Sequence, residues 1–325
     1  MREELLLELE NEYARLRADN ERAEELRKEK IRTEHPEIYA LVLKREDLIF
    51  GTLKHILNGS SQAENLPEKM EKLSGQIRLL LIQNGYSGDF LAPVYRCAVC
   101  KDTGYTGETI KEPCACLKKA YQRKLREKIG LSGDQEQTFE HFDLTVFPDE
   151  SIQGQDFTQR DMMKLYRAVC EKWANEYPEI QYRDLLLTGG TGLGKTFLLR
   201  AMADRLIERD RNVLIISAYR MLDMMRKSYY ENDSSATELL DTEVLMIDDL
   251  GSEPLMPNVT VEQLFFLLNE RQNRGLSTVI STNLEMEKFR ERYTERIASR
   301  LRDSRCCKVL TLLGRDVRTG GKQKA

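Results

Sequence analysis

The 325-residue sequence has no apolar run near the length of a membrane span, about 20 residues, so no transmembrane helix is expected. It has little net charge, −4, so no overall attraction to nucleic acid exists and any such contact needs a local patch. No secretory or transit peptide is expected, because Met1-Arg2-Glu3-Glu4 is acidic and followed by alternating charges. A disulfide framework is also excluded. The seven cysteines are odd in number and four sit in paired spacing, pointing to a reducing compartment with a metal site, and hence to the cytoplasm. What is present is a soluble globular composition with unremarkable aromatics at 7% and 32% charged residues, which suits long exposed helices. The length predicts two domains, or one with a substantial extension.

One stretch organises the rest. Gly189-Gly190-Thr191-Gly192-Leu193-Gly194-Lys195-Thr196 follows the apolar run Leu185-Leu186-Leu187 and precedes the helical pattern Phe197, Leu198, Ala201, Met202, Leu206. Glycines let backbone N–H groups approach phosphate oxygens, and the following helix N-terminus favours their negative charge. Lys195 supplies a point charge for the β- and γ-phosphates, and Thr196 a hydroxyl for magnesium. ATP or GTP binding is expected.

Towards the N-terminus, Leu5, Leu9, Tyr13, Leu16 and Leu26 recur at helical spacing, predicting a long amphipathic helix that ends near His35-Pro36. A second helix is expected over Pro36 to Leu57. After the polar break Asn58-Gly59-Ser60-Ser61, a third should bury Met70, Leu73, Ile77, Leu80 and Leu81. Cys97/Cys100 in CxxC spacing and Cys114/Cys116 in CxC spacing flank a turn-rich segment, as a structural tetrahedral zinc requires. A redox or iron–sulfur role, or unligated thiols, are the rivals. Cys170, Cys306 and Cys307 lack partners at metal spacing and read as packing residues. Lys118, Lys119, Arg123, Lys124, Arg126 and Lys128 then make a basic helical segment that could touch nucleic acid or an acidic partner, before a polar linker over Gly130 to Gln137.

The remainder alternates helical patterns with the apolar runs Val213 to Ser217, Val244 to Asp248, Thr278 to Thr282 and Lys308 to Leu312, predicting a parallel α/β sheet covered on both faces. Asp248 and Asp249 end one run at the ligand edge of such a sheet. Asp248 is placed for magnesium, and Asp249, where many such ATPases carry Glu, for polarising the attacking water. Asn283 closes the next run and could orient that water. Arg296 and Arg300 share a helix face at i, i+4, as a salt-bridged surface or as an arginine finger for a neighbouring subunit.

Phosphate loop, intervening strand, double acid, Asn-ended strand and Ser299-Arg300 in that order resemble the AAA+ ATPases of the initiator group. The whole chain resembles, more closely, the DnaC/DnaI-type bacterial replicative helicase loaders. The helical N-terminal unit, the cysteine pairs with Asp102-Thr103-Gly104, Phe139 to Asp143, and Gly314-Arg315-Asp316-Val317-Arg318 carry that likeness. It implies a helical partner-binding unit at 1–90, a zinc module and basic helix at 91–130, and an AAA+ ATPase domain at 138–325. The implied cofactors are ATP, Mg2+ and Zn2+. The implied partners are a hexameric replicative DNA helicase, single-stranded DNA, and copies of the chain itself through the ATPase domain on the helicase. Hydrolysis is expected to be weak and partner-stimulated. By this match Arg300 is the finger and Arg296 its neighbour. Tyr219, Arg220, Lys227, Tyr229 and Tyr230 mix cations with rings that could stack on bases, or simply pack. Too few residues follow Leu312 for a helical lid and its arginine, or for a duplex-binding domain, which disfavours an initiator. IstB-type transposition helper ATPases, and a non-hydrolysing nucleotide-dependent adaptor, are the alternatives.

Overall fold

A computed structural model describes residues 2–57, 66–107, 109–131, 137–231, 235–256 and 259–319; the side chains at 2, 51–57, 229, 231, 235 and 319 are left out. The Asn58–Ser61 break and most of the expected linker lie outside these residues. The chain forms two compact units, one of residues 6–118 and one of residues 1–5 with 119–325.

In the first unit, helix α1 (Arg2–Glu34) stops where Pro36 begins α2 (Pro36–Leu57). Proline disfavours helical geometry in the residue before it but suits the first helical position. Helix α3 (Leu66–Gln83) buries Leu73, Ile77 and Leu81, one face at four-residue spacing, against Ile31, Ile38, Val42 and Leu91. Met70 and Leu80 are only half-buried. The apolar stripe expected along α1 is shorter than its spacing suggests: Leu9 is buried, but Leu26 is 66% exposed. The two-residue strands β1 (Tyr105–Thr106) and β2 (Glu112–Pro113) pair antiparallel, and α4 (Ala115–Lys128) follows.

In the second unit, α5 (Gln159–Glu176) starts with a capping box between Thr158 and Asp161. There follow β3 (Asp184–Gly189), α6 (Lys195–Glu208), β4 (Val213–Ser217), α7 (Ala218–Glu231), α8 (Ser235–Asp241), β5 (Val244–Leu250), α9 (Thr260–Asn273), β6 (Ser277–Thr282), α10 (Met286–Leu301) and β7 (Cys307–Leu312). The five long strands are parallel in the order β4-β5-β6-β3-β7. Strand side chains alternate between faces, so Leu185, Leu187, Met246 and Val279 meet α5 and α6 on one side. Leu186, Leu245, Ile247 and Ile280 meet α7 to α10 on the other. This is the expected parallel sheet with helices on both faces, and no lid follows β7 among the described residues. Cys170 and Cys307 are core residues and Cys306 is half-buried.

The sheet order matters chemically. Strand β6 lies between β3, which leads into the glycine-rich loop, and β5, which ends in the two acids. Its own end, Asn283, is thereby set between them.

Candidate nucleotide and metal sites

The loop from Gly189 to Thr196 leads from β3 into α6, whose first residue is Lys195. Gly192 has φ +70°, a conformation that favours glycine, and a Cβ there would displace the Asp316 carboxylate, whose Oδ1 lies 1.7 Å from that position. Lys195 is buried. Its ammonium donates to the carbonyls of Gly189 at 2.7 Å and Gly190 at 2.5 Å, and to Asn283 Oδ1 at 2.7 Å. Burial pushes it down to about 8, against the opposing pull of Asp249 and Asp248.

Strand β5 runs two residues further than its apolar run predicts. A register shift against β6 between Ile247 and Leu250, with Asp249 at φ +58°, makes a bulge under the two acids. Asp248 Oδ1 accepts from Thr196 Oγ1 at 3.0 Å and from Ser281 Oγ at 2.6 Å. Asp249 accepts from the Asn283 amide nitrogen. One amide therefore joins lysine to acid, its oxygen on Lys195 and its nitrogen on Asp249. Thr196 and Asp248 together offer the hard oxygen donors that suit magnesium.

These groups border a cavity of about 710 Å³, within the usual size of ligand pockets, roughly 300–1,000 Å³. Its far wall is His141, Phe142, Val146 and Phe147, an apolar and aromatic surface of the kind that covers a planar ring. Phe142 stacks on Phe147 at 5.6 Å between centroids.

No helical lid follows the last strand among the described residues, as expected, yet the short tail itself brings an arginine to the site: Arg318 lines the cavity. The segment after β7 turns back over the glycine-rich loop, with the Val317 N–H donating to the Gly192 carbonyl at 3.1 Å. Asp316 accepts from Arg318, whose backbone N–H and guanidinium hold its carboxyl below the usual range. Buried Gln159 of α5 secures Arg315. Nothing in the spacing of the tail announces this, because the contact joins positions more than 120 residues apart.

Arg296 and Arg300 do not border this cavity. Both guanidinium groups stand over the Phe265 ring of α9, at 4.4 and 4.8 Å, and Arg300 also donates to Gln272 Oε1 at 3.0 Å. On α7, Tyr219, Arg220 and Tyr230 are exposed, while Lys227 pairs with Asp223 at 2.9 Å. Tyr219 and Tyr230 are eleven residues apart, which on a helix returns to nearly the same face about 16 Å along. The Tyr229 side chain lies outside those described. The basic helix is partly neutralised: Arg126 pairs with Asp204 at 2.5 Å and Lys128 with Glu4 at 2.5 Å.

In the other unit, the sulfurs of Cys97, Cys100, Cys114 and Cys116 lie within 4.8 Å of one another, with Cys97 and Cys114 at 3.9 Å and Cys100 and Cys116 at 3.4 Å. Four thiolates around zinc at about 2.3 Å stand roughly 3.8 Å apart, so the cluster fits that ion. The Cys100 backbone N–H draws the Cys97 thiol down to about 7, while burial pushes Cys116 up to about 12.

The sequence profile of the IstB-like ATP-binding proteins matches residues 134–325. The replicative helicase loader DnaI of Bacillus subtilis is 26% identical over 184 residues, 54% of this chain and 57% of the relative. The replicative helicase loader DnaC of Escherichia coli K12 is 26% identical over 152 residues, 42% of this chain and 61% of the relative. The chain thus spans less than two thirds of either relative's length. A crystal structure of the DnaC helicase loader overlaps at 18% identity with a TM-score of 0.44, covering 54% of this chain and 98% of that one.

Proposed function

The chain belongs to the IstB-like ATP-binding protein family, and on that premise we propose that it is an ATP-dependent loader of a replicative DNA helicase. The observation that carries the reading is the joining of Lys195, Asn283 and Asp249 around one cavity beside Thr196 and Asp248. A lysine, an amide and two acids around one cavity support hydrolysis over phosphate binding alone. Relatives named as helicase loaders supply the biological setting.

In this reading, residues 189–196 wrap the phosphates and Lys195 neutralises their outer oxygens. Thr196 and Asp248 hold magnesium, which when bound spreads the charge that develops on the leaving phosphate. Asp249 orients the attacking water, and Asn283 keeps Asp249 and Lys195 apart yet aligned. Arg318 adds a cation from the chain's own tail. Arg296 and Arg300, which do not line this cavity, serve the nucleotide of a neighbouring copy on the helicase. Residues 1–90 dock on the helicase, the cysteines of 91–130 hold zinc, and 138–325 bind and hydrolyse ATP weakly until partners are present. Tyr219, Arg220, Lys227, Tyr229 and Tyr230 meet single-stranded DNA. The setting is cytoplasmic.

The test is capture of a purified hexameric replicative helicase by the full chain with ATP and magnesium. The wild type should retain and load it on single-stranded DNA, whereas Lys195→Ala should lose nucleotide binding and loading together. Loading unchanged by that substitution would rule out a nucleotide switch. The family profile also favours a second reading, a transposition helper ATPase. Stimulation by a transposase but not by any replicative helicase would select it.

A further inference from the structure

Helix α1 meets the cysteine module through a polar stripe. Glu10, Tyr13, Arg17 and Asn20 recur at three- and four-residue spacing and so share a helix face. Glu10 accepts from the Tyr105 hydroxyl at 3.1 Å. The Tyr13 ring packs on Gly104, where a Cβ would lie 3.4 Å from Tyr13 Cδ1. Arg17 donates to the Asp102 carbonyl at 3.0 Å, and Asn20 Nδ2 to the Asp102 carboxylate at 2.9 Å.

Asp102 is the junction. Only 1% exposed and at φ +61°, it takes the backbone N–H of Cys97 at 2.7 Å and of Arg96 at 2.9 Å on the same carboxylate that Asn20 holds. No lysine or arginine among the described residues forms an ion pair with it. A buried carboxylate is costly unless its donors are held in place. Those donors come from the backbone at the first cysteine of the cluster and from α1. Each therefore depends on the other's position.

Resting on the zinc reading of the four cysteines, we infer that Asp102 and the Tyr13, Arg17 and Asn20 face of α1 form the outer support of the metal site. Zinc at the cysteines then fixes where α1 docks, and α1 in turn tightens zinc. By linkage the two effects are equal in free energy. Asp102 and Asn20 are positioning residues, acting through the backbone at Cys97 and not on the metal. The consequence is a partner-binding unit whose longest helix is presented correctly only when the metal is in place.

The full chain, with zinc as the only added probe, provides the test. Zinc affinity is read by competition with a chromophoric chelator, and order in α1 by amide hydrogen exchange over 6–34 before and after zinc removal. Asp102→Asn and Asn20→Ala should each weaken zinc about 10- to 100-fold, and Arg15→Ala, outside the stripe, should not. Stripping zinc from the wild type should speed exchange in α1. Exchange in α1 indifferent to zinc, or zinc affinity unchanged in both variants, overturns the inference. Should Asp102→Asn fail to fold, Asn20→Ala, a half-buried helix side chain outside the cysteine loop, still decides it. A wild type that binds no zinc removes the underlying reading too, and is told apart by the absence of any metal released to the chelator.

Discussion

Gln159 holds Arg315 by both of its backbone groups: Gln159 Nε2 donates to the Arg315 carbonyl and Gln159 Oε1 accepts the Arg315 N–H, each at 3.0 Å. A side-chain amide thus imitates a strand neighbour and straps the tail over the glycine-rich loop. Gln159→Leu should remove both hydrogen bonds, at about 0.5–1.5 kcal/mol each, and loosen Arg318 from the cavity. ATP affinity should fall several-fold, measurable with a fluorescent analogue, while β3 to β7 stay folded by circular dichroism. Unaltered affinity would show that the strap contributes nothing to binding.

Lys195 predicts a pH dependence. Its ammonium sits at about 8 because burial disfavours the charge. Bound phosphates favour the charged form, so above about pH 8 binding must take up a proton. Affinity should be level below that pH and fall towards tenfold per unit above it. Titration calorimetry across about pH 7 to 9.5 checks this, and Lys195→Ala should give a weak, flat profile.

Removing the carboxylate beside Asn283 should separate chemistry from binding. Asp249→Asn is expected to slow hydrolysis about 100-fold or more while leaving ATP affinity within a few-fold. An equal loss in both would place Asp249 in binding instead.

Asp184, at the start of β3, accepts the Thr278 N–H at 2.7 Å, and burial raises its carboxyl from 3.8 to about 6. The folded state therefore prefers the proton. This contribution to stability is complete below pH 3.8 and is lost as pH rises through about 6. Asp184→Asn keeps an acceptor but does not titrate. Relative to wild type it should gain about 3 kcal/mol between about pH 4 and pH 8, read from urea midpoints.

The sequence made the sheet, the glycine-rich loop and the double acid legible because each is encoded locally. An apolar run and a turn suffice to place Leu185 to Thr196, and Pro36 sets a helix boundary by its ring alone. Side-chain partners reached across the chain were not legible. The Gln159 hold on Arg315 and the Asn20 hold on Asp102 join positions 156 and 82 residues apart, and no spacing rule carries that. Leu26 shows the converse, a residue placed by its spacing on the apolar stripe that stays 66% exposed. The bulge under Asp248 and Asp249 escaped because the apolar run ends where the pairing does not.

The neutral company kept by Arg296 and Arg300 has an electrical consequence. Phe265 and Gln272 fix the two guanidinium groups without cancelling their charge, and among the described residues neither forms an ion pair with a carboxylate. Two aligned positive charges are thus left to the solvent's counterions. Any phosphate-bearing surface that docks there must displace those ions, so its hold should slacken steadily as salt is raised, on a scale set by a Debye length of about 8 Å at physiological ionic strength.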